Sequence, residues 1–311
     1  MSFTAEVKDE LSRVKRSSHH ADMAELAALI RICGTLSFRG PGCYSIRVST
    51  ETGAVARMVL GLTHDVFSLK TKLTFRQSIL HKTRNYLIEI PDQEGLAQAL
   101  VSMGVLTKQH SLASGINQEL LVNASCCDAF IRGAFLAGGF IANPHGDFHL
   151  EIAVMGEQFA NQLVELVNKR GIPARLHHRR GAYAVYLKSY EDIVALLRLL
   201  GAHKMSRALV KVRHMKSLKN DVNRRVNAEI ANQARSTNAA AAQLTCIAHI
   251  KKTVGLEALP ASLKTFCALR CEFPELSLRD LGQQVTPPLS KSALYHRWLR
   301  LQEFAQSLQG L

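Results

Sequence analysis

No stretch of this 311-residue chain approaches the roughly 18 uninterrupted apolar residues that a membrane-spanning helix needs. The start, MSFTAEVKDELSRVKR, mixes acids and bases and has no apolar signal region, so a cytoplasmic protein is expected and no membrane partner is implied. Cysteine is sparse and unpaired in pattern. Seven residues, an odd number without regular spacing, argue against a disulfide framework and fit a reducing compartment. Adjacent Cys126-Cys127, the helical pair Cys267 and Cys271, and the doublets His19-His20 and His177-His178 invite a metal reading, but none has a CxxC or HxxxH partner set. Neither a metal nor another cofactor is therefore expected. Aromatic residues make up only 6%, yet 47% of residues are hydrophobic and 21% charged, which is the balance of a well-cored globular chain rather than a disordered one.

Acidic residues are scarce where it matters. Up to Ala202 there are 22 bases against 18 acids, whereas from His203 to Leu311 there are 17 against 7, so most of the net charge of +14 sits in the last third. Concentrated positive charge implies a polyanionic partner, because each neutralised phosphate releases condensed counterions, although a basic surface kept for solubility has the same composition.

The first two thirds contain a repeat. Asp22 to Cys33 has helical spacing at Leu26, Leu29, Ile30 and Cys33. Strand-like runs follow at Thr35 to Phe38 and Tyr44 to Ser49 around RGPG, then a helix with Val55, Met58, Val59 and Leu62. Strands are expected at Val66 to Leu69 and Tyr86 to Ile90, before a helix with Leu96 and Leu100 that stops near Gly104. The order recurs with a helix at Ala124 to Ala137, strands at Phe140 to Ala142 and Phe148 to Val154, and a helix at Glu157 to Lys169. Strands at Ala174 to His177 and Tyr183 to Leu187 then lead to a helix opened by Ser189 and Asp192 and stopped at Gly201. Repetition on this scale marks one pseudo-symmetric domain of two αββαββα halves.

Each half opens with a helix ending in small residues. LAALIRICG (Leu26 to Gly34) and IRGAFLAGG (Ile131 to Gly139) resemble two decayed copies of the LAGLIDADG motif of homing endonucleases. The resemblance implies that the two helices pack at a pseudo-twofold axis, with Gly133 and Ala137 permitting close approach. In active members an acid just before each final glycine binds a divalent metal at the scissile phosphate; here those positions are Cys33 and Gly138. Metal-dependent hydrolysis needs hard oxygen ligands, and neither helix end supplies one. The nearest upstream carboxylates, Glu25 and Asp128, lie roughly 12 and 15 Å away along their helices. Asp147 and Glu151, expected on a following strand, have no counterpart in the other half. The chain is thus not expected to be an enzyme.

The basic segment Lys70 to Arg84 holds Lys70, Lys72, Arg76, Lys82 and Arg84 without an acid, and its equivalent in the second half holds Arg175, Arg179 and Arg180. Homing endonucleases use this face for DNA. A solvated hairpin has the same composition.

From Lys204 to Lys219 a basic helix leads out of the domain. The following stretch keeps Val226, Ile230, Thr237, Ala241, Leu244 and Ile247 in a narrow seam suited to packing, with its Asn-rich start readable as a hinge. After Pro260 three short helices are expected at Ala261 to Arg270, Ser277 to Val285 and Ser290 to Phe304, separated by Phe273-Pro274 and Thr286-Pro287-Pro288. Ser277 and Ser290 suit N-caps, and in a helix-turn-helix both are candidate DNA contacts, the caps lying at phosphates. On the last helix Leu294, Trp298 and Leu301 share one face, which leaves Lys291, Ser292, Tyr295, His296, Arg297 and Arg300 available to a DNA groove. That pattern fits a helix-turn-helix, and equally an interaction bundle.

SFTAEVKDELSRV, NRRVNAEIANQARSTNAAAAQ and SLRDLGQQVTPPLSKSALYHRWLRL favour the first, because they closely resemble the WhiA family of bacterial sporulation and cell-division regulators, nearly end to end. The resemblance implies an α+β fold: a non-catalytic, pseudo-symmetric LAGLIDADG-like domain followed by an all-α helix-turn-helix domain. It also implies double-stranded promoter DNA as partner, with RNA polymerase or a second regulator such as a WhiB-like protein as a further one. Where the family usually has asparagine in the recognition helix this chain has Tyr295, which puts the shared base preference in doubt. The expected organisation is an N-terminal segment 1–21, a LAGLIDADG-like domain 22–202 with repeats 22–104 and 123–202, a basic linker helix 203–225 and a helix-turn-helix domain 226–311. A transcription factor, a residual nuclease and a protein scaffold are the three functional classes to be separated.

Overall fold

The computed structural model describes residues 2–40, 42–77, 84–179 and 181–308. Contacts divide it into two units, Met1–Lys216 and Ser217–Leu311. This division falls inside the stretch read from the sequence as a linker helix.

In the first unit, helix α1 (Phe3–Leu11) is capped by Ser2 and buries Val7 and Leu11. Helix α2 (His19–Cys33), strands β1 (Gly34–Phe38) and β2 (Tyr44–Thr50), helix α3 (Gly53–Phe67), strands β3 (Lys72–Gln77) and β4 (Arg84–Ile90), and helix α4 (Leu96–Ser102) form the first half. The second half repeats them as α5 (Ala124–Gly138), β5 (Gly139–Ile141), β6 (Leu150–Val154), α6 (Glu157–Lys169), β7 (Arg175–Arg179), β8 (Ala182–Leu187) and α7 (Tyr190–Leu200). Each half holds a four-stranded antiparallel sheet, ordered β1-β2-β4-β3 and β5-β6-β8-β7. Period-two alternation explains the faces: Val48 and Ile88 are paired and buried, whereas the next row, Thr35, Arg47, Glu89 and Lys72, contains no buried residue.

Helices α2 and α5 pack along most of their length and make the core between the sheets. A Cβ at Gly133 would lie 2.3 Å from the Glu25 carbonyl oxygen and 3.1 Å from the Ala28 Cβ, so the close approach expected at the pseudo-twofold axis requires glycine there.

One strand is displaced from its expected place. Val66 and Phe67 extend α3, which Ser68 ends in the left-handed conformation (φ 54°), and the strand begins only at Lys72. The apolar run from Val66 to Leu69 fits a helix end as well as a strand. The true strand lies at a sheet edge where Leu73 and Phe75 stay exposed, and so lacks the usual burial pattern. Lys72 to Gln77 of the first basic segment and Arg175 to Arg179 of the second are accordingly strands. Asp147 likewise sits exposed in the loop before β6 rather than on a strand.

Helix α8 (His203–Thr253) is continuous over 51 residues and includes the Asn-rich stretch. In the first unit, Glu10 accepts from the backbone N–H groups of Lys204 and Met205 at 2.7 and 2.8 Å, which satisfies two free donors of the helix start. The packing seam holds only at its end: Ile247 is buried and Leu244 half-buried as expected, but Val226, Ile230, Thr237 and Ala241 are exposed, and Ala240, Gln243 and Ile250 are buried with Ile247. That face includes a polar residue, Gln243, and an apolar pattern could not find it. Helices α9 (Ala261–Glu272), α10 (Leu278–Gly282) and α11 (Lys291–Ser307) pack with this end of α8 around Phe266, Leu281, Leu294 and Leu301.

Candidate nucleic-acid interface

Helices α10 and α11 form a helix-turn-helix. Leu294 and Leu301 are fully buried and Trp298 is half-buried, which fixes which side of α11 faces inward. The opposite side carries Ser290, Lys291, Ser292, Tyr295, His296 and Arg300, all exposed, with Arg297 half-buried. Tyr295, at 47% exposure, is not packed away against the preceding helix; its ring meets that of His296 edge-on at 6.4 Å. No acid follows on α11 until Glu303. The Ser290 hydroxyl accepts from the Ala293 N–H at 3.1 Å, as an N-cap does. Ser277 caps α10 in the same way, accepting from the Asp280 N–H at 3.3 Å, and donates its proton to the Asp280 carboxylate at 2.6 Å. Its hydroxyl therefore has no proton left for a phosphate oxygen.

A buried arginine secures the approach to these helices. Arg270 on α9 is 1% exposed and donates from Nε to Gln243 Oε1 at 2.8 Å and from Nη1 to the carbonyl oxygens of Leu276 (2.7 Å), Phe273 (3.2 Å) and Pro274 (3.4 Å). One guanidinium thus ties α8 to the turn between α9 and α10. Burial holds its pKa below the usual arginine value.

At the ends of the motif helices, the Cys33 thiol donates to the Leu29 carbonyl oxygen at 3.0 Å, and burial pushes its pKa up to about 11. The charge that most opposes that shift is Lys8 on α1, itself pushed down to about 8 by burial. In the other copy, a Cβ at Gly138 would stand 2.3 Å from the Ala153 carbonyl oxygen, so that position has no room for a carboxylate side chain. Nearby acids are already engaged. Glu25 is 1% exposed and paired with Arg132 at 2.6 and 2.8 Å; burial raises its pKa and Arg132 opposes the rise. Asp128 pairs with Arg170 at 2.6 and 3.1 Å, and Glu151 with His149 at 3.1 Å. The Lys8–Cys33 proximity and the Glu25–Arg132 and Arg270–Gln243 pairs were not foreseen from sequence. Each joins residues far apart in the chain, and only the position of Arg132 inside the motif helix offered a signal.

Four of the remaining basic candidates lie on edge strands and one at the start of an inner strand. Lys72 and Arg76 are on β3, Arg84 opens β4, and Arg175 and Arg179 are on β7, the strand of the second sheet equivalent to β3. Lys70 is exposed just before β3, its backbone held by Gln93 at 2.8 and 2.9 Å. Lys82 and Arg180 lie outside the described residues.

Fold and site together define a class: a LAGLIDADG-like unit and a helix-turn-helix unit carried on one chain. Residues 19–105 match the WhiA N-terminal LAGLIDADG-like domain, 127–219 the WhiA LAGLIDADG-like domain and 222–305 the WhiA C-terminal HTH domain. A probable cell division protein WhiA of Clostridium novyi is 37% identical over 313 residues, covering 99% of both chains. That of Thermoanaerobacter sp. is 38% identical, covering 99% of this chain and 98% of its own. Among solved structures, full-length WhiA from Thermotoga maritima superimposes with a TM-score of 0.61 at 27% identity, covering 99% of each chain. The chain belongs to the WhiA family. No helix among the described residues is long and apolar enough to cross a membrane.

Proposed function

We propose that this protein binds double-stranded promoter DNA sequence-specifically and regulates transcription of cell-division or sporulation genes from the cytoplasm, at the nucleoid. The observation that carries this reading is the outward face of α11, where Ser290, Lys291, Ser292, Tyr295 and His296 stand exposed in the first two turns, backed by buried Leu294 and Leu301. A recognition helix places its first turns deepest in the major groove, so these residues read base edges while Arg297 and Arg300 hold phosphates. The names of the family relatives support cell division as the process served. The helix starts flanking the turn offer N–H groups to phosphate, and at Ser277 that contact falls to the backbone rather than the hydroxyl.

The LAGLIDADG-like unit acts without nuclease chemistry in this proposal. A thiol with a raised pKa and a glycine with no room for a side chain replace the two metal-binding acids, and the surrounding carboxylates are held by cations. Such a unit is free to serve RNA polymerase or a second regulator such as a WhiB-like protein, and its basic edge strands add phosphate contacts. The test is mobility-shift binding to genomic promoter fragments in a chelator, followed by incubation of the bound fragment with magnesium or manganese. Binding without metal and no cleavage with it are expected. Cleavage that a chelator abolishes would overturn the non-nuclease part, and absence of any sequence-specific duplex binding would overturn the whole.

A further inference from the structure

A cavity of about 320 Å³ opens in the first unit between the end of α2, strands β1 and β2 and the segment after α4. Ile30, Leu36, Ile46 and Val105 make its walls apolar. Its rim includes two large side chains left in solvent, Phe38 at 53% and Leu112 at 62% exposure. The charged residue of its lining is Arg31. A cavity of this size that joins apolar walls to a polar part suits a small-molecule site.

Arg31 is the unusual member. Its Nε–H is buried without an acceptor, and its guanidinium lies 5.3 Å from the centroid of the Phe159 ring. Two other arginines of this unit that are largely withdrawn from solvent, Arg132 and Arg170, each have a carboxylate fork, yet among the described residues none is paired with Arg31. A ring face attracts the cation but cannot accept its in-plane N–H bonds. The repeat supplies a control: aligning LAALIRICG with IRGAFLAGG puts Leu136, 1% exposed, at the equivalent position. The packing of a motif helix therefore does not require an arginine there.

We propose that this cavity binds a small carboxylate with a compact branched or aromatic tail, its carboxylate on the Arg31 guanidinium, its tail between Leu36, Ile46 and Val105. One arginine matches a monoanion. A phosphate dianion in such apolar walls would leave oxygens without donors. The proposal is independent of DNA binding.

The test is calorimetric titration of the full chain, without DNA, with isovalerate, 4-methylpentanoate and phenylacetate, and with the amide of each. At least one carboxylate should bind saturably, and its amide about tenfold or more weakly, the loss expected for a charge-assisted hydrogen bond. Arg31→Leu should remove carboxylate binding. Leu112→Glu, which sets a negative charge at an exposed rim position and leaves the core intact, should weaken it by a similar factor. Failure of all three acids to saturate, equal binding of acid and amide, or wild-type affinity in Leu112→Glu would each overturn the site. Should Arg31→Leu not fold, the amide comparison and Leu112→Glu decide.

Discussion

Replacing Arg270 by methionine keeps an unbranched apolar stem and removes the guanidinium. It leaves Gln243 Oε1, which is buried, and the carbonyl oxygens of Phe273, Pro274 and Leu276, which are partly buried, without their donor. Two of the four bonds, at 2.7 and 2.8 Å, have full-strength geometry; the one at 3.4 Å is marginal. Bonds to a charged group are each worth about 1.5–3 kcal/mol net, and part of that is offset by relief from burying a cation that has no carboxylate partner. A destabilisation of about 2–4 kcal/mol follows. The single tryptophan, Trp298, lies in the second unit, so its fluorescence reports that unit alone. At a urea slope of about 1–3 kcal/mol per molar, its unfolding midpoint should fall by roughly 1–3 M. Arg270→Lys, which keeps the charge but not the fork, should lie between the two. A midpoint for Arg270→Met equal to or above that of the wild type would mean that the buried guanidinium does not hold this turn.

Three further outcomes are expected. Lys8 has a folded pKa of about 8, below its ordinary 10.5, so its burial penalty is complete below pH 8 and fades as pH rises to 10.5. Lys8→Met should accordingly be more stable than wild type at pH 7, by up to about 3 kcal/mol, and that advantage should shrink through this window; a pH-independent difference in denaturation midpoint contradicts it. Gly138→Asp should lower the melting temperature, because its Cβ meets the Ala153 carbonyl oxygen, and should confer no metal-dependent cleavage; a stable, metal-activated variant would contradict both expectations. Lys72→Ala with Arg175→Ala should flatten the salt dependence of promoter affinity by about one unit for each phosphate that is no longer neutralised, and an unchanged slope would remove the edge strands from the interface.

Much of the architecture was readable because periodicity dominates where a face is buried. Helix α6 was located from Phe159, Leu163, Leu166 and Val167 with both ends correct, and the repeat followed from the recurring order of elements. Strand β3 was misplaced because an edge strand with exposed Leu73 and Phe75 has no burial alternation, while Val66 and Phe67 continue a helix. The face of α11 was legible from the Leu294–Leu301 spacing, with Tyr295 and Lys291 falling on the exposed side. Its anchor was not. Arg270 on a short helix reads as a solvated base, and Gln243 breaks the apolar seam of α8; only the fold shows that each satisfies the other. Cys33 was singled out as a lost metal position, yet its charged neighbour Lys8 lies 25 residues away on a helix whose packing partners no local pattern announces.

Whether the first turns of α11 read bases is decided by in vitro binding-site selection on the full chain and three variants. Wild type should enrich one duplex motif without added metal. Lys291→Ala and Tyr295→Ala should each relax or shift preference at a base pair, at about 1–3 kcal/mol, whereas Arg300→Ala should keep the motif and weaken all sequences alike. An unchanged motif for both Lys291→Ala and Tyr295→Ala, with Arg300→Ala altering it, would show that this face of the helix does not read the bases.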